Sequence, residues 1–395
     1  MKHKIHYYLL LGTVFMWSCI TEITTDLPST DTNVLVIEGN IVGNTDATFY
    51  LSKSFSLNES EAPESSKDVK AELTIIGSDG YQSAPADYLG QGVYQVEIGE
   101  LNDNTSYHVQ VKYNNDIYLS EPSKPIPTPE IDNISWKQPS EWGNVSFYVS
   151  TTNNNNTSPG YFLWNYVEDW QTRARVWTTY FYDPVAEDFY SLGQVGPLYH
   201  CWKQNTKNNI LIGTTESLSE NKIINKQLYE HEVASSDRFY ILYCTTVTQR
   251  AISKRAYEYY QTKLKLNEEM GGIFTPQPSE LKGNISCSTD PDKRTIGYIE
   301  VIKNTTQKRI FIASSDISKP SPSNNCEVIP RAEMEDIMAE NGWDYTDAYY
   351  YGYRPVDSDR EPPMNPEPDN WASMYCTECT RDGGTTNKPP FWPEN

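Results

Sequence analysis

A chain of 395 residues with a formal net charge of −21 and no Lys/Arg stripe repels polyphosphates, which excludes nucleic-acid binding as a function class. The length suits two domains. Behind the first twenty residues no apolar run approaches the ~20 residues of a membrane-spanning helix, so any membrane attachment has to be made in another way.

The start of the chain supplies one. A basic opening, Met1-Lys2-His3-Lys4, precedes an apolar run from Tyr7 to Trp17 and then Ser18-Cys19. This is the layout of a secretory signal peptide that ends at a lipid-modified cysteine, with Ser18 as the small residue the peptidase requires. The expected organisation is a signal peptide over residues 1–18, acyl chains on Cys19, and an acidic tether over 19–32 that carries Glu22 and Asp26. Met16 and Trp17 depart from the usual pattern before such a cysteine. Cleavage removes Lys2 and Lys4 and takes the formal charge from −21 to −23.

From Asn33 the chain turns to short β-branched and alternating runs: 33–39, 47–52, 71–76, 92–98, 107–113 and 117–120, the last two joined by Asn114-Asn115-Asp116, a hairpin loop. Residues 33–121 therefore read as an immunoglobulin-like or transthyretin-like β-sandwich. The Pro-rich segment 122–130 denies ladder hydrogen bonds and reads as a linker. A larger β-rich domain with about two helices is expected over 131–395. In it Val145–Ser150 and Tyr161–Val167 read as a hairpin, Ser253 caps a helix from Lys254 to Met270, and a second helix runs from Arg331 to Glu340 with Gly342 as its stop. The fold class is mainly β.

Six cysteines follow Cys19: Cys201, Cys244, Cys287, Cys326, Cys376 and Cys379. An even number in an exported chain argues for disulfides, with fifteen pairings open. Cys376-Thr-Glu-Cys379 also has the spacing of a redox dithiol or half a zinc site, but no helix follows it. His108, His200 and His231 lie far apart, so no metal or cofactor is expected and disulfides to upstream cysteines are the favoured reading. No nucleophile elbow, zinc-binding helix, phosphate loop or dinucleotide fingerprint is present, which argues against an enzyme. The doublets Glu168-Asp169 and Glu187-Asp188 read as solvated strand ends, and Asp290-Pro291-Asp292 and Asp357-Ser358-Asp359 as turns. Aromatic residues concentrate in Tyr161–Trp170, expected to fill a core. A second concentration, Tyr345, Tyr349, Tyr350, Tyr351 and Tyr353, reads as a loop, evenly balanced between a binding surface and core packing.

The segment from Cys376 through Gly383-Gly384 to Pro389-Pro390-Phe391-Trp392 resembles the C-terminal signature of the lipoprotein family of Bacteroidota catalogued as domain of unknown function 4249. Further matches run along the chain in order, among them Val36–Gly39, Cys201-Trp202, Ala256–Tyr260 and Gly283–Cys287. The resemblance implies an outer-membrane lipoprotein without established enzymatic activity, of a kind commonly encoded beside TonB-dependent transporters. On that basis a non-enzymatic accessory that binds substrate, or the transporter barrel itself, is expected. A structural envelope-assembly lipoprotein is the alternative, and a glycan-active enzyme ranks third.

Overall fold

A computed structural model describes residues 34–54, 64–154, 158–192, 196–269, 281–321, 325–356 and 368–394. The leader, Cys19, the tether and Asp357–Asp359 lie outside these residues. The described chain is mainly β, with strands in six sheets and a handful of helices.

The first sandwich forms where the sequence places it. One sheet is built on Leu35–Val42, Thr45–Lys53, Val93–Ile98 and Asp87–Gly90, the other on Glu72–Gly77, Tyr107–Tyr113 and Asp116–Ser120. Alternate residues point inward, so that Ala47, Phe49 and Leu51 of one strand meet Tyr107, Val109 and Val111 of the other sheet in a single core. Each fully buried large apolar side chain contributes about 1.5–3 kcal/mol there. The expected hairpin holds: Tyr113 pairs with Asp116 around a turn in which Asn114 has φ 55°.

The sandwich is not completed by its own contiguous segment. Residues 285–302, expected inside the second domain, return to it. Ile285–Cys287 pairs with Asp116–Ser120, and Thr295–Ile296 and Ile299–Ile302 run parallel to Leu35–Val42. Two glycines permit the approach: a Cβ on Gly297 would lie 1.9 Å from the Ile37 carbonyl oxygen, and one on Gly283 would lie 1.7 Å from that of Gly297. The Pro-rich segment is also docked rather than free. Ile126 N–H donates to Val301 at 3.0 Å, and the Pro129 carbonyl accepts from Gln249 Nε2 at 2.8 Å and from Thr306 Oγ1 at 2.9 Å.

Two further sheets face each other beyond it. One contains Ile131–Lys137, Val145–Thr152 and Lys222–His231; the other orders His200–Thr214, Tyr161–Arg173, Leu242–Ala251 and Thr306–Ala313. The strands at 145 and 161 thus belong to opposite sheets and do not form the expected hairpin. Their apolar faces meet across the interior instead, where Tyr229 is sandwiched between Tyr166 (centroids 3.7 Å apart) and Phe147 (4.5 Å). The aromatic run is core, as expected: Phe162, Trp164, Tyr166 and Trp170 are all buried.

The helix Lys254–Glu269 begins as read, with Ser253 Oγ accepting from Ala256 N–H at 3.1 Å, and it packs Ala256 and Tyr259 against Tyr161, Leu163 and Tyr298. The C-terminal part combines a small sheet of Val328–Pro330, Tyr353–Val356 and Asn370–Ser373 with the helix Arg331–Asn341, which stops at Gly342 with φ 69°. Among the described residues no helix is long and apolar enough to cross a membrane.

Candidate functional site

The strand Tyr161–Arg173 leaves its sheet through Arg173-Ala174-Arg175-Val176-Trp177, a segment that bends at Arg175 and Val176 and in which exposed and buried residues alternate. Arg173, Arg175 and Trp177 are exposed, and Ala174 and Val176 are buried between them. The run is pinned from behind, because the carbonyl of Cys376 accepts the N–H groups of Arg175 and Val176, each at 2.9 Å.

Cys376 is itself fixed by a disulfide to Cys326, and Cys379 by a disulfide to Cys201 on the neighbouring strand. Both cysteines of the C-x-x-C pair are thus tied to upstream cysteines, stapling the C-terminal tail to the second domain. The other two expected disulfide candidates are corrected: Cys244 and Cys287 are free and buried. They lie inside different cores, Cys244 in the sheet of the second sandwich and Cys287 in the first, so neither has a partner within reach. Burial pushes the Cys244 thiol up to about 12, which suppresses the reactive thiolate.

Arg173 and Arg175 form part of the wall of an open cleft of about 860 Å3, within the ~300–1,000 Å3 of small-ligand sites. The far side is a pair of loops that Gln138 ties together. Its Nε2 donates to Gly143 O (3.0 Å) and Ser318 O (2.7 Å), and its Oε1 accepts from Ser318 N–H (2.8 Å). At the tip of one loop Trp142 is 57% exposed and sits at φ 55°. Left-handed backbone at a bulky residue costs of order 1–3 kcal/mol and persists only where its surroundings impose it; here Gly143 N–H closes a turn onto Ser140 O at 3.0 Å. The other loop carries Lys319, whose ammonium donates to the carbonyl and hydroxyl oxygens of Ser314, both at 2.6 Å. Burial lowers its pKa.

The cleft also has carboxylates. Asp237 and Asp382 share Lys203, each at 2.8 Å, and Glu141 stands beside Trp142. Among the described residues no carboxylate pairs with Arg173, Arg175 or Lys319. The arrangement is a concave, hydroxyl-lined site with three cations that have no carboxylate partner among the described residues, on a chain whose formal charge is −21.

Next to the cleft residues Ser236 and Asp237, Arg238 reaches inward to a buried polar network. The sequence reading of Glu168-Asp169 as a solvated strand end is overturned: both lie mid-strand and are buried, Glu168 with none of its surface exposed, because the strand is flanked on both edges and its sheet is covered on both faces. Glu168 Oε1 pairs with His231 Nε2 and accepts from Tyr243 OH (2.7 Å) and Arg238 Nε (3.2 Å), while Oε2 accepts from Asn205 Nδ2 (2.9 Å). Burial pushes this carboxyl up, but His231, Tyr243 and Arg238 outweigh it and hold it below its ordinary value. Arg238 also lies over the Trp170 ring at 4.6 Å. With its oxygens committed and closed off from solvent, Glu168 braces the cleft from inside rather than facing a ligand.

The expected aromatic surface divides. Tyr345–Tyr350 is a helix, not a loop, because Asp344 accepts from Asp347 N–H at 2.8 Å and Asp347 answers from the N3 position, completing a capping box. Tyr345 stacks on Trp371 with centroids 5.5 Å apart, Tyr353 packs into the same cluster, and Tyr349 is covered by the Arg354 guanidinium at 4.0 Å. Tyr350 and Tyr351 remain exposed, at 73% and 64%. The aromatic positions therefore serve mainly as a core, with two rings left at the surface. The cleft residues Trp142, Arg173, Arg175 and Lys319 were not singled out from sequence; the one available signal was the odd placement of Trp142 in a polar turn, Ser140-Glu141-Trp142-Gly143.

A family profile described as "Domain of unknown function (DUF4249)" matches residues 20–308. Among solved structures, a two fibronectin type-III domain segment from chicken tenascin aligns at 9% identity with a TM-score of 0.15, covering 55% of this chain and 91% of that one. Comparison with the curated proteins finds no match.

Proposed function

We propose, for this chain that belongs to the DUF4249 family, the role of a lipid-anchored outer-membrane protein that holds a ligand in its cleft on behalf of a TonB-dependent barrel. The observation that carries the reading is the cleft itself: about 860 Å3, walled by segments fixed by two disulfides and the Gln138 clamp, and lined by side chains with unspent binding capacity. Rigid walls reduce the ordering cost of capture, which favours a binding role. A non-enzymatic role is supported by Glu168 and His231, a buried acid and histidine pair that is spent on internal partners. Anchoring is supported by the basic, apolar and Ser18-Cys19 order of the leader.

The anchor is tested with Cys19→Ala. The variant is expected to lose acyl labelling and to leave the membrane fraction. A variant that still incorporates palmitate and stays membrane-bound contradicts the anchor.

A further inference from the structure

We infer that the cleft recognises an anionic saccharide, held by Arg173, Arg175 and Lys319 through its acid groups and by Trp142 through a ring face. This rests on the reading of the cleft as the ligand site.

Three independent features lead there. The first is charge. Arg173 and Arg175 are exposed and line the same cleft, and neither has a carboxylate partner among the described residues. Lys319 is half-buried and bound only to the neutral oxygens of Ser314. A cation withdrawn from water with no counter-ion is a standing cost that an arriving anion removes, and the fork of a guanidinium group suits the two oxygens of a carboxylate or sulfate. The local carboxylates offset only part of this: Asp237 and Asp382 share the single charge of Lys203 and Glu141 stands at the rim, so the cleft groups keep a net positive charge of one.

The second feature is Trp142. An exposed indole in a left-handed turn is held there by Gln138 and the Ser140–Gly143 bond rather than by burial of its ring. Strain kept at the mouth of a cavity points to use, and a flat apolar face bordered by polar groups matches the C–H face of a pyranose. The third is the hydroxyl lining. Ser235 donates to Glu232 and keeps its lone pairs, Ser236 accepts from Arg238 and keeps its proton, and Ser321 adds a further hydroxyl. The lining thus offers both donors and acceptors, the pattern that sugar hydroxyls require and that an acidic peptide, with its backbone seeking a strand edge, would leave unused.

The test uses the full mature protein on an array of matched uronate-bearing, sialylated and neutral oligosaccharides, followed by calorimetry with the best-retained glycan and with hexaglutamate as an acidic peptide. Retention of acidic glycans over neutral ones is expected, with affinity falling at least about tenfold in Arg173→Ala/Arg175→Ala and in Trp142→Ala, and weakening as salt rises. Because these side chains are exposed, both variants should melt with the parent protein. Equal retention of neutral glycans, or stronger binding of hexaglutamate, with loss in Trp142→Ala, overturns the ligand class while leaving the cleft as the ligand site. Absence of binding to every probe overturns the saccharide assignment, and copurification of the barrel from native membranes then decides separately whether the accessory role stands.

Discussion

Glu168→Ala is expected to be the most damaging single substitution outside the apolar core. The carboxylate is fully buried and receives His231, Arg238, Tyr243 and Asn205. Its removal leaves the Arg238 charge and three donors facing a void, and breaking a buried pair from one side costs about 3–5 kcal/mol. Glu168→Gln keeps the volume and one acceptor but loses the charge, so a smaller loss of roughly 1–3 kcal/mol is expected. The pH dependence follows from the direction of the shift. Since the folded carboxyl lies below its ordinary value of 4.5, its stabilisation is complete above that value and is lost as pH falls through the folded pKa. Urea unfolding of the parent and Glu168→Gln proteins should therefore give a stability difference that is flat from neutral pH to about pH 5 and shrinks below it. A difference that stays constant down to pH 3, or a Glu168→Ala protein as stable as the parent, refutes the network as a brace.

Mass spectrometry after alkylation without reduction should find Cys201, Cys326, Cys376 and Cys379 blocked and, once the protein is denatured, Cys244 and Cys287 labelled; rapid labelling of Cys244 in the native protein would contradict its burial. Cys326→Ala/Cys376→Ala is expected to cost about 2–5 kcal/mol by thermal unfolding and to weaken ligand capture, since the Cys376 carbonyl positions Arg175. Tyr350→Ala/Tyr351→Ala should leave the melting temperature nearly unchanged, whereas Tyr345→Ala, which removes the ring stacked on Trp371, should lower it by several degrees; equal effects would show that the two sets of rings are not differently buried.

Local patterns carried much of this fold. The strands of the first sandwich, the Asn114 turn, the Ser253 cap and the Gly342 stop are all set by neighbours within a few residues, and the structure has them where the sequence places them. What could not be read were pairings between distant segments. Nothing local distinguishes Ile299–Ile302 as a strand of the first sandwich; the clue is a pair of glycines, Gly283 and Gly297, whose purpose appears only when their partner backbones are known. The same holds for Glu168-Asp169. Tyr161-Phe162-Leu163-Trp164 is apolar on both parities, the mark of a strand covered on both faces, but that the cover reaches Glu168-Asp169 and not Arg173 is decided by the distant segments packed there. The cleft was the least legible part, because Arg173 at a strand end and Trp142 and Lys319 on loops come from three separate regions of the chain.

The central claim is partnership with a barrel, and affinity purification of the tagged, acylated protein from native membranes in mild detergent tests it most directly. The account predicts a TonB-dependent barrel that copurifies in near-stoichiometric amount. Recovery of the intact lipoprotein with no barrel, from membranes where such barrels are abundant, would contradict it.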